Sequence, residues 1–116
     1  MIAARKAPRF LCRLADIPEG TARGFPMPQA PYPRAIFVVR LGRKVYGYWN
    51  RCPHQGTPLD WTPNQFFDFE KTHLQCATHA ARFRPDDGFC VAGPCKGKAL
   101  EPVVLRVKNE RIYLDS

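Results

Sequence analysis

With 116 residues, 45% of them hydrophobic and 24% charged, the chain has room for one domain with one modest core, and nothing in the composition points to disorder. The longest apolar run, Ala35 to Val39, is far too short to cross a bilayer. The formal net charge of +8 is scattered over small groups such as Arg40/Arg43/Lys44 and Arg106/Lys108/Arg111, not gathered into a block or stripe, which argues against a dedicated nucleic-acid reader and for a surface drawn to acidic partners.

In chain order, residues 1–9 carry Arg5, Lys6 and Arg9 but no apolar stretch of a secretory signal, so a cytoplasmic protein is expected. Arg9 to Leu14 reads as a first strand, and Ala15 to Gly20 as a tight surface turn. Gly24 to Pro33, with four prolines, reads as an ordered extended loop. Further strand-like runs follow at Ala35–Leu41, Lys44–Trp49, Thr72–Gln75, Ala81–Arg84, Phe89–Val91, Val103–Val107 and Arg111–Leu114, rich in Val, Ile, Phe, Tyr and Leu. Gly42-Arg43, Pro85-Asp86-Asp87-Gly88 and Asn109-Glu110 join neighbouring runs into three hairpins. No segment sustains a helical apolar period over three turns. An all-β fold follows, an antiparallel sandwich or small barrel of short strands.

The five cysteines are odd in number and unevenly placed, unlike an extracellular disulfide framework, and read more naturally as metal ligands. Two lie in short motifs with histidine, Cys52-Pro53-His54 and Cys76-Ala77-Thr78-His79, with 21 residues between His54 and Cys76. Each motif follows a strand-like run, so each can form a loop, and two facing loops would bring two thiolates and two imidazoles to one site. That donor set suits an iron–sulfur cluster in which imidazoles replace two thiolates on one iron. It also suits structural zinc, although one intervening residue is unusual for the first ligand pair of a zinc finger. His73 has no partner motif and reads as an ordinary strand histidine. Cys12 reads as a small buried apolar residue. Cys90 and Cys95 flank Val91 to Pro94 and are expected to be reduced thiols, since closing so small a loop gains little and a reducing compartment opposes it.

The motifs closely resemble the Rieske family: Cys-x-His with Gly two residues on, then Cys-x-x-His with an aromatic four residues on, here Cys52, His54 and Gly56, then Cys76, His79 and Phe83. Gly93-Pro94 resembles the family's cluster-covering loop, and the flanking runs resemble those of Rieske ferredoxins, so the likeness spans nearly the whole chain as a single domain, 1–116. It implies a 2Fe–2S cluster held by two loops, about 50–60 and 76–84, beneath a covering loop at about 91–96. Cys52 and Cys76 would hold one iron, and His54 and His79 the outer one. The resemblance further implies a one-electron carrier, not a catalyst, passing electrons from a reductase to a terminal oxygenase, and a monomer in the cytoplasm is expected. The net charge of +8 departs from the commonly acidic oxygenase ferredoxins and suggests a partner whose docking surface is acidic. Alternatives are a small subunit of a nitrite-reductase-like assembly and a zinc-stabilised binding module.

Within the mixed-ligand window of about −150 to +300 mV, hydrogen bonds to the sulfurs decide the potential. High-potential relatives place Ser and Tyr, both donors, where this chain has Ala81 and Phe83, and join their loops by a disulfide where it has Thr57 and Thr78. A low potential is therefore expected. Ala80 stands where the family usually has Gly, which strains the second loop if the backbone there needs positive φ. Trp61, Phe66 and Phe67 could shape a docking face, although core packing is the commoner use.

Overall fold

The computed structural model describes residues 8–27, 34–53, 56–60, 64–77 and 80–115. Among the described residues, ten strands form three small antiparallel sheets: β1 (Arg9–Arg13), β2 (Ala22–Met27), β3 (Arg34–Leu41), β4 (Lys44–Trp49), β5 (Leu74–Gln75), β6 (Arg82–Phe83), β7 (Cys90–Ala92), β8 (Pro102–Val103), β9 (Leu105–Lys108) and β10 (Arg111–Leu114). The first sheet runs β1-β10-β9, the second β2-β3-β4-β8 and the third β5-β6-β7. The expected all-β class holds.

The run at Ala35–Val39 organises the layers. Ile36, Phe37, Val38 and Val39 have no exposed surface at all, which a strand achieves only when both its faces are covered. Side chains alternate across a strand. Val38 packs with Cys12, Leu14, Ile17 and Ile112 towards the first sheet, and Ile36 with Met27 and Leu114. Phe37 and Val39 point the other way, into the core that contains Cys52 and Cys76. The second sheet is thus the central layer, and its far face seats the cysteine loops. Phe37 stacks on Phe66 at 4.3 Å and 15°, and its cross-strand partner Tyr48 donates a hydrogen bond to the Pro85 carbonyl at 2.8 Å. Burying a large side chain such as Phe66 is worth about 1.5–3 kcal/mol, and the stack adds about 0.5–1.5 kcal/mol.

All three hairpins form as read. At Asn109 and Glu110 both φ angles are positive, 52° and 59°, the backbone that a two-residue turn needs to match strand twist. Three expectations need correction. Ala15–Gly20 is not only a surface turn: it opens with a 3₁₀ turn, Leu14–Asp16, and buries Ile17 completely. Within Gly24–Pro33, residues up to Met27 belong to β2, in register with β3. Pro26 is tolerated there because β2 is an edge strand, where a missing N–H costs little; positions 28–33 lie outside the described residues. Finally, Val103–Val107 is two strands. The chain leaves β4 at Val103, exposes Val104, and pairs with β10 from Leu105. The runs at 72–75, 81–84 and 89–91 shrink to two or three paired residues each.

Candidate metal centre

The two cysteine motifs fold into loops of matching backbone. In the first, the Cys52 N–H donates to the Thr57 carbonyl at 2.8 Å, and the Gly56 N–H returns to the Cys52 carbonyl at 2.7 Å. In the second, the Cys76 N–H donates to the Ala81 carbonyl and the Ala80 N–H to the Cys76 carbonyl, both at 2.9 Å. The residue four past each cysteine has positive φ, 75° at Gly56 and 56° at Ala80. Ala80 therefore carries the backbone strain expected of a non-glycine residue there, about 1–2 kcal/mol.

The loops are tied to one another and to the central layer. The Ala77 N–H donates to the Leu59 carbonyl at 2.9 Å. Asn50, at the end of β4, accepts from the Leu59 N–H at 2.7 Å and donates to Asp60 at 2.8 Å. Neither Asn50 nor Asp60 carries a motif signal, and only the folded geometry reveals them. The segment between the loops is closed by Asp68. Its buried carboxylate accepts from the Thr72 and His73 N–H groups at 2.9 and 3.3 Å and from the Thr72 hydroxyl at 3.3 Å, with Arg82 at 4.0 Å. Burial opposes its charge, but these donors and the guanidinium outweigh that and hold the Asp68 carboxyl below its usual range. His73 is half-buried beside Thr72 and Asp68, in keeping with a structural role.

The covering loop descends from β7. At Gly93, φ is 96°, and a Cβ there would lie 2.7 Å from the Ala81 Cα, so only glycine lets this loop seat on the second cysteine loop. Cys52, Cys76, Cys90, Cys95, Ala81 and Phe83 are all buried in one core. No disulfide joins any of the five cysteines, and Cys12 is buried in the other core. Burial, with Cys90 and Cys52 alongside, pushes the Cys95 thiol up to about 12. Phe66 is a core residue, not a docking one, and Phe67 is partly buried; fully exposed Phe69 nearby was not anticipated. His54, His79, Trp61 and Thr78 lie outside the described residues.

The described residues fit an iron–sulfur group. Two fully buried thiols on matched loops are the donors that such a cluster takes. The Thr57 hydroxyl in the first loop is buried without a hydrogen-bond partner among the described residues, as expected of a group placed beside a further acceptor.

Residues 8–109 match the family described as the Rieske [2Fe-2S] domain. No match was found among curated proteins. Among solved structures, the chain is similar to the ferredoxin of carbazole 1,9a-dioxygenase from Nocardioides aromaticivorans IC177, at 25% identity and TM-score 0.73, covering 94% of this chain and 97% of that one. The Sphingomonas yanoikuyae B1 ferredoxin shares the fold, at 20% identity and TM-score 0.73, covering 95% and 99%. So does a chain in a complex of reduced oxygenase and oxidized ferredoxin in carbazole 1,9a-dioxygenase, at 22% identity and TM-score 0.74, covering 93% and 92%. The zinc alternative finds no support in these matches. The chain belongs to the Rieske [2Fe-2S] family and is a one-electron carrier whose cofactor is a 2Fe–2S cluster.

Proposed function

We propose that this ferredoxin carries electrons from a reductase to a terminal oxygenase, with Cys52 and Cys76 on the inner iron and His54 and His79 on the outer. The bound cluster supplies a one-electron couple; the chain positions it and tunes it. The observation that carries this reading is the pair of matched, fully buried cysteine loops under a glycine-dependent cover, in a chain that covers nearly all of a ferredoxin of an oxygenase system. Buried thiolates would set the cluster into the low-dielectric interior, leaving the histidine edge as the exit for the electron.

Charge supports an acidic docking partner. Arg51 lies over Gly56 of the first loop, where a Cβ would meet its Nε at 3.1 Å, and Arg51, Arg82, Lys96 and Lys98 are all exposed on or beside the three loops. With a net charge of +8, association with an acidic surface would be steered electrostatically and screened by salt. The working form is a monomer of one domain, 1–116, in the cytoplasm; among the described residues no helix is long and apolar enough to cross a membrane. Stopped-flow reoxidation of the reduced protein by a terminal Rieske oxygenase tests this reading. The rate should fall as salt is raised; a rate that rises with ionic strength, or no transfer to any oxygenase tried, overturns it.

A further inference from the structure

Positive charge gathers at the end of the fold away from the cysteine loops. The first cysteine loop follows β4, and the Gly42-Arg43 turn that opens β4 lies a six-residue strand back, about 20 Å away. Beside that turn is the β9–β10 turn, Asn109-Glu110, where the Glu110 carbonyl accepts from the Leu14 N–H at 2.8 Å. A cavity of about 340 Å³ opens there, and its polar lining is Arg13, Arg40, Arg43, Asn109, Glu110 and Arg111. Four guanidinium groups thus share one carboxylate.

Internal pairing does not use up this charge. Arg13 and Arg111 are direct cross-strand partners, and Lys108 is opposite Arg111 on its other side. Like charges so placed repel one another. Among the described residues the Arg111 side chain has no hydrogen bond or ion pair. Arg40 is held in place: its Nε donates to the Gly42 carbonyl at 2.7 Å and its Nη1 to those of Leu14 and Ile17 at 3.4 and 3.0 Å. Arg43 pairs with Glu110 at 2.9 Å and Arg13 with Asp16 at 3.4 Å, but the Arg43–Glu110 side chains are 79% and 70% exposed. Such exposed pairs are weak, so Glu110 can give way to a stronger anion.

We propose that this cavity binds a small oxyanion bearing two or more negative charges, a phosphate-type or polycarboxylate group. Arg111 and Arg43 are its main donors, and Glu110 is the resident counter-ion it displaces. Guanidinium forks match the oxygens of either group bidentately. A single negative charge would only exchange for that of Glu110, whereas a multiply charged ligand also offsets the repulsion between Arg13 and Arg111. The ligand ties the first sheet, through Arg13 and Arg111, to the second, through Arg40 and Arg43, and so stabilises the folded chain by linkage. None of these residues lies in the cysteine loops, so the site stands or falls separately from the cluster ligands.

The test is isothermal titration calorimetry of the cluster-loaded protein with pyrophosphate and with tricarballylate, at an ionic strength held constant with NaCl. Visible absorbance shows that the cluster is retained. At least one probe should bind saturably, one per chain: pyrophosphate alone marks a phosphate-type site, tricarballylate alone a polycarboxylate site, and both a site read by charge and guanidinium geometry. Arg111→Gln should weaken binding by about tenfold or more, the worth of one charge-assisted hydrogen bond. Lys98→Gln, an equal loss of charge at an exposed residue beside the covering loop, should leave it nearly unchanged. Glu110→Gln should tighten binding, and Glu101→Gln, the same change at an exposed residue outside the cavity, should not. No saturable binding of either probe, or equal losses in Arg111→Gln and Lys98→Gln, overturns the site and leaves only general attraction of anions to a basic protein. Glu110→Gln binding no tighter than Glu101→Gln overturns the counter-ion role. If Arg111→Gln fails to fold, the comparison of Glu110→Gln with Glu101→Gln decides for or against the site alone.

Discussion

Replacing Gly93 with alanine tests how the cover is seated, and the chain contains its own control. Gly93 and Gly97 have nearly the same backbone, φ of 96° and 92°, so alanine meets a similar conformational cost at each, about 1–2 kcal/mol. Their surroundings differ. At Gly97 a Cβ would have no neighbour within 4 Å, whereas at Gly93 it would lie 2.7 Å from the Ala81 Cα, 3.2 Å from its Cβ and 3.3 Å from its N. Backbone cannot swing aside as a side-chain tip can, so the cover must lift from the second cysteine loop. Overpacking of this kind costs about 1–3 kcal/mol more. If that contact breaks before the cluster is lost, the difference appears as a rate, roughly five- to 150-fold. The assay is decay of visible absorbance in guanidinium, under argon, for wild type, Gly93→Ala and Gly97→Ala. Gly97→Ala should bleach modestly faster than wild type, and Gly93→Ala faster than both by at least the lower bound. Equal rates for the two variants would refute the reasoning, because the close approach to Ala81 would then not be holding the cover.

Other outcomes follow from the same geometry. Ala80→Gly should slow bleaching or raise the melting temperature, since it relieves a left-handed backbone worth about 1 kcal/mol. Asp68→Asn should destabilise the segment between the loops by about 1–3 kcal/mol at neutral pH, measured by denaturant titration. Because the folded Asp68 pKa is depressed, its contribution is present above the unfolded value of about 3.9 and is lost as pH falls through the folded value; the gap between wild type and variant should therefore close in acid. Protein-film voltammetry should give a midpoint near or below about 0 mV, and Ala81→Ser or Phe83→Tyr should raise it by adding a donor.

How much of this was legible in the chain can be seen element by element. The β3–β4 hairpin was readable because β-branched and aromatic residues flank an unambiguous turn, and the same holds for Arg111–Leu114 after Asn109-Glu110. β2 was hidden by its proline content, since a tolerated Pro26 depends on edge position, which is a property of the assembled sheet. The passage of the chain from β8 to β9 was hidden too, because Val103 and Leu105 look like one strand until their partners are known. At the site, Cys52 and Cys76 were marked by spacing, and strain at Ala80 could be anticipated only from the resemblance, because the family usually has Gly there. The matched hydrogen bonds of the two loops, the Asn50–Asp60 tie and the close approach of Gly93 to Ala81 are long-range geometry, which no local pattern encodes.

The most direct measurement is the paired absorption and EPR spectrum of protein purified without oxygen and then reduced, for wild type and for His79→Ala. The proposed ligands require a coloured wild type with the signal of a mixed thiolate–imidazole 2Fe–2S centre, and a variant in which that signal is lost or altered. Colourless wild type, or a spectrum indifferent to the loss of His79, would contradict them.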